Sequence, residues 1–316
     1  MASTLSTSEA TPLAPAQAAL KRTGPRRKGP YPYWFLIIPG VIYVVFFVVP
    51  TLTSFYFSFT RWDLFSSHWI GLENYQTFFA EQALVIGLRN TLIYAVITSG
   101  LKVVLGMALA VLLTSRIIAR GYLRSVIFFP VLVSTIGVGL TFTVLMNPEK
   151  GLINNVLAHV GVDGPGWLTN PSLAIFSVAL VDVWKGVGLA TVIYIAGLVS
   201  IAGEYNEAAQ VDGASRFRQH LHVTVPMLSN VTFFNLVMGI IGSLQVFAEP
   251  FVLTGGKPNN STLLLPLYLY QNAFTYLKMG YASAIAWVTF AMILLLTLVV
   301  FKSLPFWVHT EAGDER

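Results

Sequence analysis

The sequence contains no cysteine, and charged side chains make up only 10% of its 316 residues. The first absence excludes disulfide bonds and thiolate metal sites, and it leaves the redox compartment open. The second is far below the share of about a quarter that is usual in soluble domains, whereas 55% of the residues are hydrophobic. This balance is typical of a protein built to lie in lipid.

The sequence also lacks a phosphate-binding loop. Residues 255–258 read GGKP, which has neither the spacing nor the hydroxyl of a glycine-rich loop that ends in Gly-Lys-Ser/Thr. The five histidines are scattered, and His220 and His222 have no third ligand nearby in sequence. We therefore expect this chain to bind no cofactor and no metal, and any ATP to be hydrolysed elsewhere.

Six apolar stretches are long enough to cross a bilayer, because a core of about 30 Å needs roughly 20 helical residues. They lie at residues 33–59, 86–113, 122–147, 172–201, 228–254 and 281–305. The sequence therefore predicts an all-α polytopic membrane protein with six transmembrane helices. The membrane domain would span residues 31–306.

Polar tails flank this domain at residues 1–30 and 307–316. The first tail has no apolar core followed by a small-residue cleavage site, so it is not read as a signal peptide. We expect a disordered basic tail whose charges hold the start of the first span in the cytoplasm.

The basic residues predict the orientation of the spans. The net charge is +5, but the charges are not gathered on one soluble face, so no nucleic-acid partner is predicted. Most lie in the N-terminal tail, the second and fourth connections and the C-terminal end: Lys21, Arg22, Arg26, Arg27, Lys28, Arg116, Arg120, Arg124, Arg216, Arg218, Lys302 and Arg316. The positive-inside rule places these segments, and both termini, in the cytoplasm of a plasma membrane.

The fourth connection is an unusual polar segment between two apolar spans. Residues 207–213 read EAAQVDG, and residues 223–226 read VTVP. Helix-favouring residues precede Asp212 and Gly213, and glycine readily adopts the left-handed conformation that ends a helix. A second short helix is predicted from Ser215 to Leu221, ending ahead of Pro226. The pattern favours the docking of a soluble partner over an ordinary amphipathic connector.

This spacing resembles the cytoplasmic EAA loop of the membrane subunits of binding-protein-dependent ABC importers. In that family the loop docks the ATPase subunit, so the resemblance implies that residues 203–227 form a coupling loop. The residues it implies for ATPase coupling are Glu204, Glu207, Ala208, Ala209, Asp212, Gly213 and Pro226.

A second region is similar to the sugar-permease branch of that family. Glu249 precedes LTGGKP at 253–258, where Lys257 replaces a usual third glycine, and the last span opens on GYA at 280–282. DVWK at 182–185 resembles the start of the fourth-span signature. The resemblance covers roughly residues 33–305.

This resemblance implies half of a heterodimeric pore, in the style of the maltose and glycerol-3-phosphate importers. Its partners would be a second permease subunit, two ATPase subunits that bind ATP and Mg²⁺, and an extracytoplasmic solute-binding protein. The solute would be a carbohydrate, with glycerol-3-phosphate or another non-sugar solute as the alternative. Rivals from other classes are an ion-coupled secondary transporter that uses Asp182 or Glu249, and a membrane-embedded enzyme, for which no cluster of His, Asp or Ser is present.

Polar residues within the spans are candidates for the solute path, because burying them in hydrocarbon is costly. On the fifth span, three- and four-residue steps predict one helix face that carries Asn235, Gly239, Gly242, Gln245 and Glu249, with Phe247 beside it. This face either lines a water-filled path or packs closely against another helix through its small residues.

Two charges on the fourth span are expected to have a structural role instead. Asp182 and Lys185 lie one turn apart and are predicted to neutralise each other. Lys102, in the middle of the second span, has no predicted partner.

Overall fold

The computed structural model describes residues 33–115 and 117–308. The predicted tail at 1–30, Arg116 and residues 309–316 lie outside this part of the chain. Internal contacts separate residues 1–50 from residues 51–316, and all of the packing described below lies within the second unit.

The described residues are mostly helical and include almost no strand, which confirms the predicted fold class. The helices are α1 (Tyr33–Phe57), α2 (Glu73–Ala80), α3 (Gln82–Thr114), α4 (Arg120–Leu132), α5 (Thr135–Leu145), α6 (Leu152–His159), α7 (Ala174–Ser200), α8 (Gly203–Val211), α9 (Arg216–Met227), α10 (Ser229–Leu244), α11 (Ala248–Leu253), α12 (Leu265–Tyr270) and α13 (Met279–Trp307). A short antiparallel hairpin pairs β1 (Thr60–Trp62) with β2 (Ser67–Trp69).

Four helices are individually long and apolar enough to cross a membrane, namely α1, α3, α7 and α13. Two further helix pairs, α4 with α5 bent by 99° and α9 with α10 bent by 65°, are long and apolar enough only when each pair is taken together. Counting each pair as one candidate span gives six, which is the predicted number, although the second pair begins at Arg216, well before the predicted start of the fifth span at residue 228. Pro130 lies in the last turn of α4, where it lacks the N–H that a continuing helix needs.

The fifth span is shorter than the predicted run of 228–254. Helix α10 ends at Leu244, and α11 begins only at Ala248. Pro250 explains this break, because its ring would meet the carbonyl of Val246 if the helix continued. The break places Gln245 and Phe247 outside regular helix.

Close packing of α3, α4 and α7 holds the centre of the molecule. A Cβ placed on Gly106 of α3 would lie 2.9 Å from the Cβ of Ala190 on α7, and one on Gly188 would overlap the backbone of Ile127 on α4. Small residues at these crossings let helix backbones approach closely, as is usual in membrane proteins.

Buried apolar side chains form three separate clusters. The largest surrounds Tyr94 and Leu253, the second surrounds Leu84 and Ile285, and the third joins Tyr194 to Leu228.

Candidate functional site

The predicted coupling loop forms a helix, a tight turn and a second helix. At the end of α8, the N–H of Gly213 donates to the carbonyl of Gln210 at 3.0 Å, and that of Ala214 donates to Ala209 at 2.9 Å. These two bonds are the Schellman arrangement, which needs a left-handed residue at the position of Gly213. Gly213 has φ +76°, so the predicted turn is present.

The second helix of this loop is longer than expected. Helix α9 runs from Arg216 to Met227 and includes Pro226, so the predicted end ahead of that proline is wrong. A π-helical turn at His220–Thr224 comes immediately before it. Such a widened turn displaces the carbonyl that the proline ring would otherwise meet, so the helix continues.

The motif residues lie mostly at the surface of this loop. Glu204, Glu207 and Ala208 are exposed on α8, as are Asp212 and Gly213 in the turn, whereas Ala209 and Pro226 are partly buried. Apolar side chains accompany them, with Val211 88% and Phe217 75% exposed. A surface of carboxylates and large apolar groups, held by a rigid turn, is suited to docking another protein.

Asn235, Gly239 and Gly242 lie on one face of α10, but this face is not packed evenly along its length. Asn235 is buried, and a Cβ on Gly239 would lie 3.2 Å from Ser99 on α3. Gly242 and Gln245 are exposed, and a Cβ on Gly242 would have no neighbour within 4 Å. The face predicted from the pattern is therefore divided into a packed part at Asn235 and Gly239 and an open end at Gly242.

The remaining two path candidates lie beyond the helix break. Glu249 is buried in α11, and Phe247 is half-buried and stacks on Phe251 at 5.1 Å between ring centroids. Their separation from α10 corrects the prediction of a single helical stripe. Irregular backbone at membrane depth is tolerated where it is buried in protein or lines a water-filled cavity.

The breaks in the third and fifth spans meet the same core. Val133, between α4 and α5, and Val246, between α10 and α11, both pack against the cluster around Tyr94. A Cβ on Gly139 of α5 would lie 2.8 Å from Val252 of α11, so α5 and α11 are in direct contact. Interruptions of two spans at one level are typical of the place where a transporter handles its solute.

A largely buried ion pair joins α3 to α7. Lys102 Nζ lies 2.9 Å from Asp182 Oδ2, so Asp182 pairs with Lys102 and the predicted pairing with Lys185 is wrong. Lys185 forms no ion pair with any of the described residues. Sequence reasoning missed this pair, although the isolated Lys102 in the middle of a span was its signal.

The segment between α1 and α3 contacts the segment between α11 and α13. Both segments are connections on the predicted outer side. Glu81, at the start of α3, accepts hydrogen bonds of 2.6 Å from the hydroxyls of Tyr268 and Tyr281. Burial, together with the bond to Glu81, raises the pKa of Tyr268, so it stays protonated as the donor. Gly280 contacts the carbonyl of Thr60 so closely that a side chain would not fit.

Comparison with known proteins places these features in context. A family model for the binding-protein-dependent transport system inner membrane component matches residues 102–304. The probable ABC transporter permease protein YurN of Bacillus subtilis (strain 168) is 37% identical over 86% of this chain and 94% of its own length. The arabinooligosaccharides transport system permease protein AraP of the same organism is 33% identical, over 91% and 94%.

A solved structure has the same fold. It is a crystal structure of a bacterial ABC transporter involved in the import of the acidic polysaccharide alginate, with a TM-score of 0.73 and 22% identity. The match covers 85% of this chain and 93% of that chain.

Proposed function

The chain belongs to the family of binding-protein-dependent transport system inner membrane components, and we propose that it forms half of the translocation pore of an ATP-driven carbohydrate importer. The observation that carries the proposal is the coupling loop, in which a left-handed Gly213 presents the exposed Glu207 and its neighbours. Members of this family are transport subunits, so the chain is not itself an enzyme.

The loop supports an ATPase as the partner on the cytoplasmic side. Glu207 and Asp212 are exposed carboxylates without an ion pair among the described residues, so both are available to basic groups. ATP and Mg²⁺ belong on that partner, because the chain has no phosphate-binding loop. Two ATPase copies, a second permease subunit and an extracytoplasmic binding protein complete the assembly.

A carbohydrate is the solute class that the observations favour. The relative AraP is named for arabinooligosaccharide transport. In this chain the open end of α10 offers the amide of Gln245, and Phe247 supplies an aromatic ring at the adjacent break. Amides hydrogen-bond sugar hydroxyls as donor and acceptor at once, and a ring packs against the apolar face of a sugar.

The proposed mechanism is alternating access in a bacterial plasma membrane. Closure of the ATPase dimer around ATP draws the coupling loops together, and the rigid Schellman turn transmits this movement to α9 and α10. The 65° bend at Leu228 then transfers it to the broken part of the fifth span. The pore opens toward the binding protein, and hydrolysis returns it to the cytoplasmic side.

Reconstitution with the partner subunits tests this function. The chain is co-expressed with candidate second-permease, ATPase and binding-protein genes, purified without tags on the partners, and assayed in vesicles for uptake of labelled arabino-oligosaccharides. We expect uptake to require ATP and the binding protein, and Glu207→Lys to abolish both ATPase association and uptake at normal membrane levels. Uptake driven by an ion gradient without ATP would instead establish a secondary transporter.

A further inference from the structure

A cavity of about 640 Å³ opens between the first and last outer connections, away from the broken spans. One wall comes from β1, the turn that follows it, and α2, and the other comes from the segment Tyr276–Lys278 and the start of α13. Pockets of this size hold small ligands in many proteins. The cavity is separate from Gln245 and Phe247, neither of which lines it.

The walls of the cavity are fixed by specific contacts. Arg61 and Glu73 form an ion pair within one wall, and Glu81 is held by Tyr268 and Tyr281. Trp62 stacks on Phe57 with 4.0 Å between ring centroids. The Glu81 carboxylate and the Trp62 ring are therefore held in place before any ligand arrives, which reduces the entropy cost of binding to them.

The lining combines aromatic rings with charges of both signs. Trp62, Tyr276 and Tyr281 contribute rings, and Tyr276 is 58% exposed. Arg61 and Lys278 are outnumbered by three acidic residues, Asp63, Glu73 and Glu81. Rings beside paired donors and acceptors suit a sugar, and the acidic excess disfavours an anionic one.

We propose that this cavity is a second carbohydrate subsite, outside the pore, which takes one end of a neutral oligosaccharide. The proposal rests on the function proposed above, since that function supplies both the solute class and the outward orientation. A short sugar would pass without using the cavity, whereas a longer one would be held by Tyr276 and Trp62 while its other end enters the pore.

The test compares sugars of two lengths in the assembled transporter with its binding protein. Tyr276→Ala should raise the KM for uptake of arabinopentaose by roughly two- to tenfold, and should leave the KM for arabinobiose and the maximal rate unchanged. Phe79→Ala is the matched control, because Phe79 is 70% exposed on α2 but does not line the cavity. It should change neither KM.

Binding to the purified permease pair, without the binding protein, is measured by saturation-transfer NMR with arabinopentaose. Signals from one end of the sugar should be lost in Tyr276→Ala and kept in Phe79→Ala. Uptake that does not depend on ATP would refute the proposed function but not the subsite. The NMR measurement tests the subsite in either case.

Two results would overturn the subsite. Equal KM increases for both sugar lengths, together with weaker docking of the binding protein, would make the cavity a protein socket. Unchanged uptake and unchanged NMR contacts in Tyr276→Ala and Trp62→Ala would leave it without a role in sugar binding.

Discussion

Lys102 Nζ lies 2.9 Å from one carboxylate oxygen of Asp182 and 3.0 Å from the other, so the pair is bidentate between α3 and α7. The two side chains are only 18% and 11% exposed. Removing one partner of such a pair leaves a buried charge uncompensated, which typically costs about 3–5 kcal/mol. Replacing both partners by apolar groups avoids that cost.

We therefore expect Lys102→Met and Asp182→Leu each to lower the thermal stability and yield of the purified complex, because each leaves the other charge buried without a partner. The double variant Lys102→Met/Asp182→Leu should recover most of the loss. Lys185→Met is the control on the same helix, because Lys185 has no ion pair among the described residues. Single variants as stable as the wild type, or losses that simply add in the double variant, would show that the pair does not couple the helices.

The turn of the coupling loop should tolerate only glycine. Gly213 has φ +76°, whereas proline fixes φ near −65° and other residues pay about 1–2 kcal/mol in the left-handed region. Gly213→Pro should leave the protein inserted but abolish its association with the ATPase, and Gly213→Ala should weaken association. Gly203→Ala is the matched control, since Gly203 is the first residue of the helix that ends in this turn, with open space around it and no positive φ. Membrane levels and co-purified ATPase are measured together, and normal association in Gly213→Pro would refute the docking role.

The orientation predicts which surface positions a membrane-impermeant thiol reagent can reach. The chain has no native cysteine, so single introduced cysteines are read without background. Ser261 is a poor outer probe because its hydroxyl is buried, whereas Ser67 in the hairpin and Ser215 in the coupling loop are exposed. Ser67→Cys should be labelled in intact cells and Ser215→Cys only after permeabilisation. The reverse labelling pattern would show that the protein has the opposite orientation in the membrane.

The β1–β2 hairpin should loosen in acid. Backbone N–H groups of Ser66 and Phe65 donate to Asp63, and these bonds lower the pKa of its carboxyl group. Because the folded pKa is depressed, the stabilisation is present above the ordinary value of about 3.9 and is lost as pH falls through the folded value. Asp63→Asn keeps an acceptor oxygen but does not titrate.

Pepsin cleavage at Leu64–Phe65 measures this effect, since Phe65 is 93% exposed at the tip. The ratio of wild-type to Asp63→Asn cleavage should rise as the pH is lowered below the ordinary carboxyl range, and the ratio cancels the pH dependence of pepsin itself. A ratio that stays constant would show that Asp63 does not order the turn.

Local signals in the sequence predicted much of the structure, and contacts between distant residues were missed. The turn at Gly213 and the six apolar runs depend on neighbouring residues, so they were predicted. The break after Leu244 was also predictable in principle, because Pro250 disfavours a continuous helix through Val246. The partner of Asp182 was not, because Lys102 is 80 residues away and only helix packing brings them together.

Substitutions at the open end of α10 distinguish the two interpretations of the fifth span, which are a solute path and a packing surface. Gly242 has free space where a side chain would project, whereas Gly239, one turn earlier, packs against Ser99. If the outer end lines the path, Gly242→Leu should block sugar uptake while complex yield and ATPase association survive. Gly239→Leu, with the same added volume, should reduce the yield because it separates α10 from α3.

Gln245→Ala provides the complementary measurement, since it removes a donor and an acceptor without adding volume. It should change the KM or the selectivity among labelled sugars in vesicles, with assembly intact. Loss of assembly in Gly242→Leu, together with unchanged uptake in Gln245→Ala, would assign this surface to contact with the second permease subunit, since no helix of this chain covers it within the described residues. The contrast between two glycines on one helix therefore tests the solute path without requiring the identity of the sugar.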